Sequence, residues 1–172
     1  MELEKAKVIA EQVKALLEPA CERITIAGSI RRRKPDPGDI ELLCIPKYNA
    51  GIIDQLDGVI GLLIGQEILG LRRNKLGSTI YGPKNKLLVH LESGIGVDVF
   101  STTQEQWPVA LFVRTGGKET NKEIAARALA RGLRFHAYGR GFTTPNGEIV
   151  CHSEREVFEA VGFGYLEPWE RD

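Results

Sequence analysis

The chain has 172 residues, 42% of them hydrophobic and 27% charged, and its formal net charge at pH 7 is zero. Such a chain can bury a core as one domain or two closely packed lobes, and its neutrality excludes a generally basic coat for nucleic acid. The scattered cysteines Cys21, Cys44 and Cys151 form no C-x-x-C pair, which excludes a disulfide or zinc framework and predicts buried thiols in a reducing compartment. Without a recognisable signal peptide or membrane-spanning run, we expect a cytoplasmic protein that binds no membrane, with a nuclear or viral location as the alternative.

The first half of the chain predicts a helix followed by strands. Apolar residues at helical spacing indicate a helix over residues 2–17, which Pro19 ends. An alternating apolar run over residues 24–27 predicts a strand that ends in a tight turn at Gly28-Ser29. After a second strand, which begins near Gly38, the pattern predicts a loop at 46–50, a helix at 52–64 and short strands at 69–74, 86–91 and 94–100.

A boundary near residues 101–108 is expected to separate a first domain, 1–104, from a smaller second domain, 105–172. In the second domain a turn at Thr115-Gly116-Gly117 precedes a helix predicted from Glu119 to Ala130. Strands at 133–138 and 148–151 are expected to pair, with Asn146-Gly147 as a hairpin turn. Residues 153–156 have the pattern of a capping box that opens a helix to about Val161.

Three carboxylates on predicted strands form a candidate metal site. Asp39 and Glu41 occupy alternate strand positions and therefore point to one face, while Ile40 and Leu42 point into the core. Asp98 lies between two valines and would complete the site if its strand lay in the same sheet. Neighbouring carboxylates repel each other unless cations neutralise them, and a divalent metal is the usual partner. The alternative is an ordinary solvated strand face.

The segment before these carboxylates is suited to an anion. Gly28 and Ser29 offer backbone N–H groups and a hydroxyl at a turn, and Arg31 and Arg32 follow directly. The alternative is a solvated basic loop. An anion site beside paired carboxylates is the arrangement that transfer of a phosphoryl or nucleotidyl group needs.

A second group of cations lies between Arg114 and Arg140, where basic residues outnumber acidic ones. Lys118 and Lys122, like Arg127 and Arg131, are one helical turn apart, so each pair shares a side of the helix. This local excess is where we expect a nucleic-acid backbone to bind. The alternative is a solvated helix face.

Together these motifs resemble a known family, the family X DNA polymerases (the DNA polymerase beta group) of the nucleotidyltransferase superfamily. The matching residues run from about Ile24 to the C-terminus and comprise Gly28-Ser29, Arg31-Arg32, Gly38–Glu41, Val97–Val99, Thr115-Gly116, Asn121, Ala128-Leu129, Gly132-Leu133, Glu154–Val157, Tyr165 and Pro168. The resemblance implies an α/β (α+β) fold. It would consist of a nucleotidyltransferase palm with a mixed β-sheet and helices, followed by a small α+β thumb-like subdomain.

The resemblance also implies roles for individual residues. Asp39, Glu41 and Asp98 would be catalytic and hold two Mg²⁺ ions, with Mn²⁺ as a substitute, and Asp98 would help to activate the primer 3′-hydroxyl. Asn121 would read the minor-groove edge of the incoming base. The implied nucleotide contacts are Gly28, Ser29, Arg32, Gly38, Val113, Arg114, Gly116 and Asn121, and the expected DNA contacts are Lys118, Lys122, Arg127 and Arg131.

The chain departs from the family pattern at several positions. Glu41 stands where the family usually has Asp, Val113-Arg114 replaces an aromatic pair, and Ala125 stands where an Arg is frequent. We also expect no room for the N-terminal lyase and DNA-binding domains that many members carry.

We therefore expect a monomeric, Mg²⁺-dependent DNA polymerase that adds nucleotides from a nucleoside triphosphate to the 3′-hydroxyl of primer-template or gapped DNA, in DNA repair. Two alternatives stay open. The first is a template-independent nucleotidyltransferase that acts on a nucleic-acid end or a small molecule. The second is a catalytically inactive DNA-binding module, which would need neither Ser29 nor all three carboxylates.

Overall fold

The computed structural model describes all residues, Met1–Asp172. Backbone contacts divide the chain into two compact units, the first formed by Met1–Ile30 and Lys34–Thr102, the second by Arg31–Arg33 and Thr103–Asp172. The short basic segment thus groups with the second unit by its contacts, although the sequence places it inside the first domain. None of the helices combines the length and apolar character that crossing a membrane would require.

The first unit is built on a five-stranded mixed sheet, whose strands lie in the order β1 (Cys21–Ile26), β2 (Asp39–Pro46), β7 (Gly96–Ser101), β6 (Asn85–His90) and β5 (Leu69–Leu71). β2 and β7 are parallel, and every other neighbouring pair is antiparallel. The elements are α1 (Leu3–Leu17), a 3₁₀ turn (Glu18–Ala20), β1 (Cys21–Ile26), α2 (Gly28–Arg31), β2 (Asp39–Pro46), β3 (Tyr48–Asn49), β4 (Ile53–Asp54), α3 (Gln55–Gly65), β5 (Leu69–Leu71), β6 (Asn85–His90) and β7 (Gly96–Ser101).

One face of this sheet packs against α1 and α3. The helices contribute Ala6, Ala10, Val13, Leu17, Leu56, Ile60 and Leu63, and the strands contribute Ile40, Leu42, Cys44, Leu69, Leu88, Val97 and Val99. Ile40 and Leu42 are fully buried, as their alternation with Asp39 and Glu41 predicts. The three cysteines are free and buried, which confirms the prediction of small apolar thiols.

Three sequence predictions in the first unit are wrong. Gly28 begins a single helical turn, α2, instead of a tight turn. Part of the predicted loop at 46–50 is β3, which forms a hairpin with β4 because Ala50 and Gly51 both adopt positive φ, 53° and 71°, as a type I′ turn requires. The helix expected from residue 52 therefore begins at Gln55, where the Asp54 side chain accepts hydrogen bonds from the first free N–H groups.

The second unit combines three helices with a three-stranded antiparallel sheet, whose strands lie in the order β10 (Gly147–Val150), β9 (Gly141–Thr144) and β8 (Arg134–Phe135). Phe112 lies at its centre, edge-on to Phe135 and Phe158 with ring centroids 5.9 and 5.4 Å away. The elements are α4 (Trp107–Thr115), α5 (Lys118–Ala130), β8 (Arg134–Phe135), β9 (Gly141–Thr144), β10 (Gly147–Val150), α6 (Glu154–Ala160) and a 3₁₀ turn (Pro168–Glu170).

The predicted pairing of 133–138 with 148–151 is wrong. β10 pairs with β9, and β9 in turn pairs with β8. The Gly-Phe-Thr-Thr sequence of β9 has a single large apolar residue, so its periodicity gave no strand signal. The N-cap at Ser153 is confirmed, because its hydroxyl accepts from the Glu156 N–H at 3.2 Å, but the Glu156 carboxylate accepts from His152 and so does not close the capping box.

Candidate functional site

The strand register places the three predicted carboxylates on one face of the first unit's sheet. In the parallel pair of β2 and β7, Glu41 is the Cα partner of Asp98, and Asp39 is the partner of Gly96. Because side chains alternate along a strand, Asp39, Glu41 and Asp98 all point away from the face that packs on α1 and α3. The fold thus brings together carboxylates that are 57 positions apart in the chain, Glu41 and Asp98.

Gly28 makes room for one of these carboxylates. Its φ is +60°, and a Cβ atom built there would lie 1.7 Å from Oε2 of Glu41. A side chain at this position would therefore overlap the carboxylate as well as strain the backbone. The sequence suggested Gly28 as an anion contact, and this packing against Glu41 had no sequence signal.

Arg72 is a site residue that sequence reasoning missed. It follows β5 directly, and its Nη2 donates a hydrogen bond to Oδ1 of Asp98. The Arg72 and Asp98 side chains are only 28% and 13% exposed. The sequence contained no signal for this pair, because the strand order alone brings the end of β5 within reach of β7.

Asp39, Glu41 and Asp98 together form what we call the carboxylate face of the sheet. Their oxygen atoms are ligands of the kind that Mg²⁺ prefers. In the present side-chain arrangement, however, no group of three or more His, Cys, Asp or Glu residues could hold a metal ion. Asp98 is engaged by the Arg72 guanidinium instead. The residues therefore suit the ion by type and by strand position, while their side chains are not gathered around one point.

Three of the predicted nucleotide contacts carry a buried polar atom that has no hydrogen-bond partner. These atoms are Oγ of Ser29, Nε of Arg32 and Oδ1 of Asn121. Unsatisfied buried groups are rare because each costs about 1–3 kcal/mol. A polar ligand that contacts such a residue would satisfy its orphaned atom.

Within the second unit, other side-chain atoms of Arg32 and Asn121 are held by backbone carbonyls. Arg32 Nη1 donates to the Thr115 carbonyl, and Asn121 Nδ2 donates to the Val113 carbonyl at 3.0 Å. Gly116 has φ +71°, and a Cβ atom there would lie 2.8 Å from Arg32 Nη1. The glycine therefore allows the guanidinium to approach the backbone.

Two further predicted nucleotide contacts, Arg114 and Gly38, have different surroundings. The Arg114 guanidinium lies over the Tyr138 ring, 5.7 Å from its centroid, and Nη2 is 3.4 Å from the Tyr138 hydroxyl. Gly38 has open space where a Cβ atom would stand. Packing within the chain therefore does not require a glycine at position 38.

Sequence analysis also missed a buried ionic network in the second unit, formed by Arg31, Glu154 and Arg171. Glu154 accepts two hydrogen bonds from Arg31, at 2.8 and 2.7 Å, and one from Arg171 at 2.7 Å. Arg171 is fully buried, and Arg31 also donates to the Thr115 hydroxyl at 2.6 Å. Burial would raise the pKa of Glu154, but the hydrogen bonds and positive charges of the two arginines outweigh it and lower that pKa.

The four predicted DNA-binding cations lie on α5 or at its end: Lys118, Lys122, Arg127 and Arg131. Arg127 donates to Glu123 at 2.7 Å and lies 4.4 Å from the Phe163 ring centroid. Arg131 covers Gly162, where a Cβ atom would be 2.2 Å from its Nη2. Both arginines are thus partly occupied within the unit, and the DNA-binding role of all four residues stays a prediction.

Comparisons with known proteins agree with this architecture. The sequence model of the DNA polymerase beta thumb matches residues 110–172. A DNA polymerase/3′-5′ exonuclease PolX of Bacillus subtilis is 30% identical over 149 residues, which are 85% of this chain and 24% of that protein. A DNA nucleotidylexotransferase of Xenopus laevis is 29% identical over 79 residues, or 45% of this chain and 16% of that protein. The chain therefore spans less than a quarter of the length of either relative.

Two solved structures of Leishmania infantum polymerase beta share the fold. In the ternary P/T complex the TM-score is 0.77 at 18% identity, with all of this chain and 76% of that one covered. In the ternary gap complex the TM-score is 0.79 at 17% identity, with all of this chain and 70% of that one covered. The match to the polymerase beta thumb, the similarity to PolX and to the nucleotidylexotransferase, and the shared fold all support the resemblance of this chain to family X of the DNA polymerases, the DNA polymerase beta group.

Proposed function

We propose that the chain is a nucleotidyltransferase that moves a nucleotide from a nucleoside triphosphate to a primer 3′-hydroxyl, as a monomer acting on primer-template or gapped DNA in repair. The observation that carries this proposal is the register that sets Glu41 beside Asp98, with Asp39 on the same sheet face. The similarity to polymerase beta ternary complexes with primer-template and gapped DNA supports the choice of DNA as substrate.

Asp39, Glu41 and Asp98 are the residues that would hold two Mg²⁺ or Mn²⁺ ions. When bound, such ions supply charge that stabilises the attacking and leaving oxygens of an in-line displacement. Asp98 would help to activate the primer 3′-hydroxyl. Phosphoryl transfer depends mainly on positioned charge, so each carboxylate is expected to be indispensable.

The orphaned polar atoms support three of the predicted nucleotide contacts. Ser29 Oγ and Arg32 Nε can donate to phosphate oxygens, and charge-assisted bonds of this kind are about twice as strong as neutral ones. The Asn121 amide oxygen would accept from a donor on the minor-groove edge of the incoming base, while its Nδ2 donates to the Val113 carbonyl.

A template-independent transferase is the second candidate function. The observation that favours it is the similarity to a DNA nucleotidylexotransferase over 79 residues. Both functions use the same carboxylates and the same nucleotide contacts. They differ in whether a template strand is required.

Primer extension distinguishes these functions. We expect the protein to extend a labelled primer in gapped or primer-template DNA with Mg²⁺ and dNTPs, and to extend the single-stranded primer poorly. Equal extension of the single strand would establish the template-independent transferase. A lack of transfer on every substrate, with Mg²⁺ or Mn²⁺, would leave a binding module and contradict both proposals.

Substitutions test the assignment of the carboxylates. Asp39→Ala, Glu41→Ala and Asp98→Ala should each abolish extension, with folding checked by circular dichroism. Asp36→Ala is the matched control, because Asp36 is an exposed carboxylate of the preceding loop and should be dispensable. Near-wild-type extension by any of the three site variants would remove that residue from the site.

A further inference from the structure

Arg72 is attached to two strands beside the carboxylate face, by its backbone to β6 and by its guanidinium to Asp98 on β7. Its backbone N–H donates to the Leu87 carbonyl at 3.1 Å, which fixes the residue to β6. Leu87 is the Cα partner of Asp98 on β7. The Arg72 side chain therefore crosses one strand to reach Asp98 on the next, and it is held at both its backbone and its guanidinium.

Gly96 provides the space for this side chain. A Cβ atom at Gly96 would lie 1.7 Å from Nη1 of Arg72 and 3.0 Å from its Cζ. Gly96 stands two residues before Asp98 and beside Asp39, on the same face of the sheet. The guanidinium thus lies over β7 within the carboxylate face, and any side chain at Gly96 would displace it.

The charges explain why a cation is needed at this point. Three carboxylates on adjacent strand positions repel one another, and the Asp98 side chain is only 13% exposed, so water screens it poorly. The Arg72 guanidinium offsets one of these charges. A guanidinium and a divalent cation are both attracted by the same carboxylate oxygens, so the two cations compete for Asp98.

We propose that Arg72 is a positioning residue for Asp98: it holds the carboxylate beside Glu41 on the same face of the sheet and serves as its counter-ion until a divalent cation binds. This inference rests on the proposed function, because it concerns the same carboxylates. It adds a residue outside the motifs by which the sequence identified the site. Asp98 is thereby kept in one place when the metal is absent.

This role predicts two effects of opposite sign for Arg72→Met. Loss of the competing cation should tighten Mn²⁺ binding to the nucleotide-free protein by about tenfold, equivalent to ~1.4 kcal/mol. Loss of positioning should lower kcat by about tenfold or more, with little change in the KM for dNTP. An ion pair that only stabilised the fold would weaken Mn²⁺ binding and turnover together.

The experiment combines Mn²⁺ titration, followed by electron paramagnetic resonance, with steady-state primer extension. The matched control is Arg73→Met, which removes the adjacent cation, whose Nη1 donates to the Gly77 carbonyl at 2.7 Å, away from the carboxylates. Arg72→Lys should restore part of kcat, because an ammonium can still pair with Asp98. In the background of Asp98→Asn, Arg72→Met should no longer tighten Mn²⁺ binding.

Tighter Mn²⁺ binding in Arg72→Met alone, lost in the Asp98→Asn background, supports the counter-ion role even if the wild type transfers no nucleotide, in which case the proposed function alone fails. Unchanged or weaker Mn²⁺ binding in Arg72→Met overturns the inference. The inference also fails if the wild type is active and Arg72→Met leaves its kcat unchanged. It fails as well if Arg73→Met changes Mn²⁺ binding and kcat as much as Arg72→Met does.

Discussion

Glu154 joins two arginines in the second unit, and replacing it with Gln should destabilise the protein severely. The Glu154 side chain is 10% exposed and that of Arg171 is fully buried. Glu154→Gln keeps the shape of the side chain but removes the charge that both arginines use. Arg171 would then remain buried without a counter-charge, and removing one partner of a buried ion pair typically costs about 3–5 kcal/mol.

The lower end of this range is appropriate here, because the Gln amide oxygen can still accept one hydrogen bond. A loss of about 3 kcal/mol would lower the melting temperature by roughly 6–12 °C for a chain of this size. Urea unfolding followed by circular dichroism measures the free energy directly. The matched control is Glu123→Gln, which breaks a surface pair with Arg127 whose side chains are 50% and 44% exposed. That change should cost at most about 0.5 kcal/mol.

The pH dependence provides a second measurement of the same effect. The pKa of Glu154 is lowered in the folded protein, so its contribution to stability is present above the unfolded value of about 4.3 and is lost as the pH falls through the folded pKa. The stability difference between wild type and Glu154→Gln should thus be full at pH 7 and shrink in acid. A difference below about 1 kcal/mol at pH 7, or one that grows in acid, would refute the reasoning.

Three further changes have clear expected outcomes. Gly28→Ala should destabilise the protein by about 1–3 kcal/mol in urea unfolding and slow primer extension, because its Cβ would overlap the Glu41 carboxylate at a positive φ. Val113→Tyr should raise the ratio of kcat/KM for a dNTP over that for the matching rNTP, since a ring there would crowd a 2′-hydroxyl. Lys122→Gln should lower the log–log salt slope of DNA binding by about 0.9, whereas Arg127→Gln should lower it less, because Arg127 pairs with Glu123 at 2.7 Å and Lys122 with Glu119 only at 3.4 Å.

Each of these changes has its own control or contrary outcome. Gly38→Ala meets open space and should leave stability unchanged, so equal losses at both glycines would contradict the packing argument. A strong dNTP preference in the wild type, unchanged by Val113→Tyr, would show that this side chain does not select the sugar. An unaltered salt slope in Lys122→Gln would place the phosphate contacts elsewhere.

The sequence by itself determined much of the candidate site, because the candidate residues stand in short local sequence patterns. Alternation placed Asp39 and Glu41 on one face of a strand, and this needs no knowledge of other strands. The Asp98 strand was identified in the same way, and the resemblance to family X then predicted the palm and thumb that the comparisons support. The orphaned atoms of Ser29, Arg32 and Asn121 occur on residues already chosen from the sequence.

Sequence analysis missed the strands that lack a clear alternation of apolar and polar residues. β9 has too few large side chains to show alternation, and the hairpin of β3 and β4 depends on positive φ at Ala50 and Gly51 more than on hydrophobicity. In both places backbone conformation and neighbouring strands decided the structure. Local propensity is weaker than such tertiary context.

Only the tertiary structure decided which groups meet the carboxylates. Gly28 lies against Glu41, and Arg72 reaches Asp98 over Gly96, although each of these contacts joins separate strands or turns. The same is true of Glu154, which pairs with Arg31 from the opposite half of the sequence. Contacts between residues that are distant in the sequence depend on strand order and register. Local sequence patterns specify neither, so these contacts become visible only in the folded structure.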